Sequence, residues 1–323
     1  MRKTRFRFFT CFLLMLFTFS ARASEIVHVS PITNQIVMLH FDDGYLDYSP
    51  HDYLGGSGRN VNIVNEPLDV KSASRVDAFS VTSLDDINYR TALHPVKVGR
   101  KSKTVEMPNW PPHYYIYEHW VYLVLPRPLQ NNHSYNISFI DTQNKEHLAK
   151  FEYSERKSFS ETIHINQVGY APDAPLKLAY LYHYMGSLGP LSLDSHVNKS
   201  FYVVDSTSQD IVFTGGVRLR SRKTPDTLKE DYWINSDVWE CDFSDFTRTG
   251  TYYVVVEDMG CSFPFQINKS IYKKPSQIAL RGFYHQRSGE ARKRPFSKWP
   301  KRRDHIPGEN GFAVFYSNFK YME

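Results

Sequence analysis

The chain has 323 residues, more than one ordinary domain of roughly 100–150 residues, so two or three domains are expected. Hydrophobic residues make up 41% of it, which allows packed cores and excludes a largely disordered protein. Five of the 39 basic residues and none of the 34 acidic residues lie in residues 1–23. The remainder is therefore balanced in charge, and we expect no binding to nucleic acid.

The first segment has the pattern of an export signal. A basic region is followed by an apolar run at residues 8–19, which is too short to span a bilayer comfortably. Ala21 and Ala23 fit the small-residue pattern of a cleavage site. We expect residues 1–23 to be a signal peptide and the mature protein to be periplasmic or extracellular, with no stable membrane insertion. An uncleaved anchor is the alternative.

Residues 24–158 predict a first β-sandwich domain. Short runs rich in β-branched and aromatic residues at 35–41, 120–126 and 134–140 are typical of antiparallel strands. The stretches at 49–60 and 106–119 are rich in Gly, Pro and aromatic residues and predict loops. The cluster of four aspartates and two histidines at 40–52 fits a turn between strands better than a cation site, because its spacing does not match a calcium loop.

Residues 159–268 predict a second, immunoglobulin-like sandwich, separated from the first by a polar linker at Ser154–Glu161. Seven short strands are expected, and the Tyr-rich strand in 250–258 has two apolar faces, which predicts cover on both sides. Phe243 and Phe246 are expected in the core. The predicted strands are Ile163–Tyr170, Leu176–Leu181, Ser200–Asp205, Ile211–Val217, Val238–Ser244, Gly250–Asp258 and Ser262–Ile267.

The hydrophobic period changes after Asn268, where a helix is predicted. Pro275 lies where a helix begins, and Gly289 supplies a stop. Residues at helical spacing between them form one apolar stripe. The stripe consists of Ala279, Leu280, Phe283 and Tyr284.

The order of four motifs resembles glycoside hydrolase family 9, the cellulase-type enzymes. They are "IHINQVGYAPDAPLKLAYL", "FYVVD", "VWECDFSDFTRTGTYYVVVEDMGCSFPFQI" and "ALRGFYHQRSG". They cover about 162–289 and are similar to the N-terminal immunoglobulin-like domain of that family and its run into the catalytic barrel. The resemblance implies a mainly β fold of two sandwiches, followed at 269–323 by the truncated helical start of an (α/α)6 barrel.

The resemblance also implies an inverting hydrolysis of β-1,4-glucan by two carboxylates. Those carboxylates belong to parts of the barrel beyond Glu323, and the Asp-Ala-Gly-Asp pattern of the catalytic base is not found in the sequence. We therefore assign no catalytic residue to this chain, and we expect a premature stop, a frameshift or a truncated gene to account for its ending. Zinc ligation near the helix is not expected, because Ser288 and Asp304 replace family cysteines. No cofactor is predicted.

An aromatic stretch at 109–120 is the candidate substrate-binding surface. Trp110 and Trp120 are the residues assigned to sugar binding, because planar rings stack on sugar faces. A Pro-rich loop that covers a sandwich edge would use the same residues, and His113 and His119 within it are interpreted as packing residues. Cys241 and Cys261 form either a disulfide or two separate buried thiols.

The sequence thus predicts the non-catalytic N-terminal portion of an exported family 9 hydrolase, with a β-glucan polysaccharide or oligosaccharide as partner. The alternative is a carbohydrate-binding or adhesion module without hydrolysis. A remnant without function is a third hypothesis.

Overall fold

The computed structural model describes residues 26–48, 61–223, 235–306 and 308, and these residues are mainly β-strand. The predicted signal peptide at 1–23 and the predicted loop at 49–60 lie outside the described residues. Within the described part, no helix is long and apolar enough to cross a membrane.

Nine strands build the N-terminal part of the described fold. A four-stranded antiparallel sheet in the order β1-β2-β7-β6 and a three-stranded sheet in the order β5-β8-β9 enclose one buried cluster, and β3 pairs with β4. The mainly β character of this part agrees with the prediction. The strands are β1 (Ile26–Thr33), β2 (Ile36–Asp42), β3 (Gly44–Tyr48), β4 (Val61–Asn65), β5 (Phe79–Thr82), β6 (Lys97–Glu106), β7 (Ile116–Val124), β8 (His133–Ile140) and β9 (Glu146–Tyr153).

The loop predicted at 106–119 is wrong at its C-terminal end. Strand β7 begins at Ile116 and pairs with β2 on one side and with β6 on the other. Alternate residues of this central strand face two different cores, since Val121 and Leu123 lie in the N-terminal cluster while Tyr122 lies in another. Strand β7 is covered on both faces and has many aromatic residues, and for this reason its first residues were predicted as part of a loop.

The second part is a sandwich of two antiparallel sheets, β10-β11-β15-β14 and β13-β12-β16-β17, with β18 paired to β16. All seven predicted strands have counterparts, and Phe243 and Phe246 are buried as expected. Strands β14 and β17 were not predicted. The strands are β10 (Ile163–His164), β11 (Leu178–Leu181), β12 (Ser200–Asp205), β13 (Ile211–Gly216), β14 (Arg218–Ser221), β15 (Val238–Asp242), β16 (Gly250–Val256), β17 (Gly260–Cys261) and β18 (Phe265–Ile267).

Strand β16 is covered on both faces, as its sequence predicts. Tyr252 and Val254 lie in the core between the sheets. Tyr253 and Val255, which point to the opposite side, form a second small cluster with Val204 and Cys261. This second cluster is buried on the side of β16 that faces away from the core between the two sheets.

The predicted linker at Ser154–Glu161 is an ordered junction. The Ser160 and Thr162 hydroxyls both donate hydrogen bonds to the Ile32 carbonyl, at 3.1 and 3.2 Å, and both residues are fully buried. Met38 and Tyr122 of the first sandwich belong to the same buried cluster as the core of the second. The two sandwiches therefore share apolar packing across the junction, which a flexible linker would not provide.

Helix α1 (Lys273–Gln286) confirms the predicted helix and begins two residues before Pro275. Gly289 follows it with a φ of 83°, a backbone conformation that favours glycine at the end of a helix. The helix buries none of its residues, and Leu280 and Phe283 are 67% and 68% exposed. That this helix opens an (α/α)6 barrel stays a prediction.

Candidate functional site

A cavity of about 650 Å³ lies where the two sandwiches meet. Its residues come from four separate stretches: β6 of the first sandwich, the junction with β10, the end of β11, and the loop after β17. They are Lys101, Phe159, Glu161, Ile163, His164, Ile165, Gln167, Tyr182, His183, Tyr184 and Phe263. The cavity falls in the range of volumes that small-molecule sites occupy.

Aromatic rings form two walls of this junction cavity. His164 and Tyr182 stack with ring centroids 3.9 Å apart, and their strands β10 and β11 are antiparallel neighbours. Phe159 and Phe263 pack with centroids 4.0 Å apart, next to the bridge between Phe159 and Cys261. Planar rings that line a cavity suit the apolar faces of a sugar or another flat ligand.

Burial disfavours the charged forms of His164, His183 and Lys101 in the cavity. Burial, followed by the nearby Lys101 charge, lowers the pKa of His183 to about 3, and its Nε2 lies 3.0 Å from the Tyr122 hydroxyl. Burial also lowers the pKa of His164 and the pKa of the Lys101 ammonium. The imidazoles are therefore uncharged near neutral pH and offer hydrogen bonds without a full charge.

The same lining does not supply the two opposed carboxylates that glycoside hydrolysis uses. Glu161 is the one acidic side chain among the lining residues. An inverting enzyme needs a second carboxyl group roughly 6.5–9.5 Å away on the other side of the scissile bond.

Trp120 lies beside the cavity, but its ring faces are covered. On β7 it stands between His40 of β2 and Lys101 of β6. The His40 ring stacks on it at 4.9 Å with an interplanar angle of 6°, and the Lys101 Nζ lies 5.2 Å from its centroid. Trp120 also packs against the core that the two sandwiches share. Its position suits support of Lys101 better than stacking on a sugar.

The Trp110 ring, unlike that of Trp120, is exposed. Its side chain is 67% exposed and stands just before the cis Pro111-Pro112 bond, ahead of β7. Neither tryptophan lines the cavity, so the structure does not join the two predicted residues in one site. Sugar binding by Trp110 and Trp120 stays a prediction.

Sequence reasoning missed the residues that line the cavity. No alternation marks them, since the consecutive residues Tyr182, His183 and Tyr184 all line the cavity. The contributions of Lys101 and Phe263 come from stretches more than 160 residues apart, and no local pattern connects them.

The cysteines are two separate buried thiols rather than a disulfide. Cys241 lies in β15 and Cys261 in β17, which belong to different sheets. Burial raises the pKa of both thiols, that of Cys261 to about 11, so neither is a reactive thiolate near neutral pH.

The described ranges were compared with the side-chain groupings that hold metal ions. No group of three or more His, Cys, Asp or Glu side chains there has the arrangement of a metal site. Asp304 accepts a hydrogen bond from the Gly289 backbone N–H at 3.2 Å. That contact ties the segment after α1 to the end of the helix.

Comparison with known proteins identifies the second sandwich. Its two facing antiparallel sheets define an immunoglobulin-like domain, and residues 158–260 match the family model described as the cellulase N-terminal ig-like domain. This part of the chain is therefore similar to the immunoglobulin-like domain that lies at the N-terminus of cellulases. No curated protein sequence matches the chain significantly.

Solved structures of a family 9 glycoside hydrolase and of two endoglucanases are similar to less than half of the chain. A glycoside hydrolase family 9 protein of Bacteroides ovatus shares 23% identity with a TM-score of 0.33, over 45% of this chain and 22% of that one. A metagenome-derived family 9 endoglucanase also shares 23%, with a TM-score of 0.32, over 47% of this chain and 27% of that one. An Alicyclobacillus acidocaldarius endoglucanase shares 19% identity with a TM-score of 0.30, over 42% of this chain and 20% of that one. The chain thus spans about a quarter of the length of these proteins.

Proposed function

We propose that this chain is the non-catalytic N-terminal portion of an exported family 9 glycoside hydrolase that cleaves β-1,4-glucan with inversion. The match of residues 158–260 to the cellulase N-terminal domain supports the proposal most directly. The helix that follows the sandwich at Lys273–Gln286 agrees with it, because its apolar residues are exposed and available to further helices.

In this proposal the sandwiches stabilise a catalytic barrel, and the junction cavity binds part of the glucan. The aromatic walls and neutral imidazoles fit an uncharged polyhydroxylated ligand. Hydrolysis belongs to the barrel, because the cavity has one carboxylate where the reaction uses two.

A fusion experiment tests this role. Residues 24–323 placed before a family 9 catalytic barrel should raise the melting temperature of the barrel compared with the barrel alone. Residues 24–323 by themselves should release no reducing sugar from soluble β-1,4-glucan. An unchanged melting temperature of the barrel, or sugar release by residues 24–323 alone, would contradict the proposal.

A carbohydrate-binding or adhesion module is the second candidate, and the exposed Trp110 favours it. Retention of residues 24–323 on insoluble cellulose should then fall when Trp110 and Trp120 are both changed to Ala. The Trp299→Ala variant is a matched control, since Trp299 is also 67% exposed but lies in the segment after α1. No retention of the unmodified protein on any polysaccharide would exclude this function.

A further inference from the structure

Outside the junction cavity, three side chains of the first sandwich form a continuous hydrogen-bonded array. The Ser102 Oγ lies 2.7 Å from the His119 Nδ1, and the His119 Nε2 lies 3.1 Å from the Asp43 Oδ2. A hydroxyl, an imidazole and a carboxylate joined in this order are the components of a nucleophile activated by a base. Neither the proposed role in a family 9 enzyme nor the comparisons assign any role to them.

Strand register explains why the hydroxyl and the imidazole meet. Ser102 on β6 is directly opposite His119 on β7. The Arg100 backbone N–H points away from β7, at the open edge of the sheet, and donates to the Ser187 hydroxyl at 3.0 Å. Because backbone groups alternate along a strand, those of Ser102, two residues further on, also point away from β7. Ser102 and His119 are therefore a non-hydrogen-bonded pair, the type in which opposed side chains approach most closely.

Asp43 is fixed on the same face of the sheet. Its backbone N–H donates to the Tyr117 carbonyl at 3.0 Å, which continues the pairing of β2 with β7 beyond Asp42. Its Oδ1 accepts the Leu68 backbone N–H at 2.8 Å, and its Oδ2 faces His119. A carboxylate at Nε2 selects the tautomer that carries its proton there, and this tautomer leaves the Nδ1 lone pair to accept the Ser102 proton.

The array combines a buried base with an exposed nucleophile. His119 and Asp43 are each 4% exposed, which shields their hydrogen bond from water. Ser102 is exposed, because β6 is the edge strand of its sheet. A substrate therefore reaches the hydroxyl without entering the core.

Arg100 supplies a positive charge where a reaction at Ser102 would create a negative one. Its guanidinium contacts the Ser102 hydroxyl, and its Nη1 lies 3.3 Å from the His119 Nδ1. Its Nε is buried without a hydrogen-bond partner. The Arg100 Nη1, which contacts the Ser102 hydroxyl, and the outward backbone N–H of Ser102 can together bind the oxygen of a tetrahedral intermediate.

We propose that Ser102 is the nucleophile of an ester-hydrolysing site, with His119 as its general base, Asp43 as the positioning residue and Arg100 as the stabiliser of the oxyanion. The Ser102 oxygen bonds to the acyl carbon while His119 takes the hydroxyl proton. The ester carbon–oxygen bond then breaks, and His119 returns the proton to the departing alcohol. Water, deprotonated by His119, releases the acid and restores Ser102. The substrate is an ester of a small acyl group such as acetyl, because Ser102 is exposed on the edge strand and does not line the junction cavity.

Labelling with a fluorophosphonate probe tests whether the array activates Ser102. Mass spectrometry of labelled residues 24–323 should locate the probe on Ser102, and the protein should hydrolyse p-nitrophenyl acetate. Ser102→Ala should abolish both the labelling and the hydrolysis, and His119→Gln should lower the turnover of p-nitrophenyl acetate at least about 100-fold. Ser138→Ala is the matched control and should change neither the labelling nor the hydrolysis. Ser138 is also a serine on a strand, but its hydroxyl donates a hydrogen bond to the Glu146 carboxylate at 2.6 Å. Absence of the probe from Ser102 would overturn the proposal.

A cysteine variant separates an activated side chain from a merely structural hydrogen bond. Ser102→Cys should react with iodoacetamide near neutral pH at least about tenfold faster than Ser138→Cys, because His119 would take the thiol proton. The two native cysteines are buried and should add little background. The excess rate should disappear when His119→Gln is added, and Asp43→Asn should shift the pH profile of the reaction. Equal rates for the two cysteine variants would also overturn the proposal.

Discussion

At the scale of single residues, burial sets the charge of the histidines. His183 is in contact with Tyr122 of the other sandwich, and burial lowers its pKa to about 3. His196 lies near β12, and burial lowers its pKa to about 4. Both are neutral in the folded protein near pH 5, whereas in the unfolded chain they titrate near 6.5.

We predict that the protein loses stability as the pH falls from 6.5 to about 4.5. In this window the unfolded chain binds protons at both histidines and the folded protein does not, so the free energy of unfolding decreases with falling pH. Each group should contribute a slope of up to about 1.4 kcal/mol per pH unit. Urea unfolding at several pH values measures the slope.

His183→Gln should flatten this dependence by roughly the share of one histidine. His113→Gln is the control, since His113 is exposed, and its profile should follow that of the unmodified protein. A free energy of unfolding that does not change between pH 6.5 and 4.5 would contradict the prediction.

At the scale of elements, the turn after β10 depends on one glycine. The Asn166 side chain accepts the Val168 N–H and donates to the Gly169 carbonyl, both at 3.0 Å. Gly169 has a φ of 102°, and a Cβ there would lie 2.3 Å from the Gln266 carbonyl oxygen.

Gly169→Ala should therefore lower the free energy of unfolding by about 1–3 kcal/mol, through backbone strain and displacement of β18. Gly216→Ala is the matched control, because Gly216 has ordinary backbone geometry and open space around it. Urea denaturation of both variants measures the difference. Similar stabilities for the two variants would show that the turn relaxes without cost.

Helix α1 presents apolar side chains that nothing in the described ranges buries. Phe283→Asp should leave the melting temperature of residues 24–323 within about one degree and reduce their aggregation, because an exposed side chain contributes little to folding. Differential scanning fluorimetry and light scattering check the two effects. A clear fall in melting temperature would mean that the helix packs within this chain.

The sequence predicted those elements whose signal is local. Alternation located β12 at its observed bounds, and Pro275 with Gly289 bracketed the helix. Strand β17 was missed because two residues carry no period, and β14 because its residues are all exposed. Both the junction cavity and the Ser102 array join distant stretches through sheet register, which residue patterns alone do not reveal.

At the scale of the whole molecule, the two sandwiches are coupled through strand β2. Met38 faces the core shared with the second sandwich, whereas Leu39, the next residue, faces the core of the first. Both side chains are fully buried. Apolar packing of this kind makes adjacent domains unfold together, since separating them exposes surface that neither can cover alone.

Calorimetry of residues 24–323 should accordingly show one unfolding transition. Met38→Ala should lower the free energy of unfolding by about 2–5 kcal/mol through the cavity it leaves. The loss occurs at the contact between the sandwiches, so the single transition should separate into two. Leu39→Ala removes a side chain of similar size from the opposite face of the same strand, and it should move one transition to lower temperature without splitting it. Two transitions in the unmodified protein would show that the sandwiches fold independently and that the junction cavity forms between domains free to move. The same response to both substitutions would contradict the role of Met38 at the contact between the sandwiches.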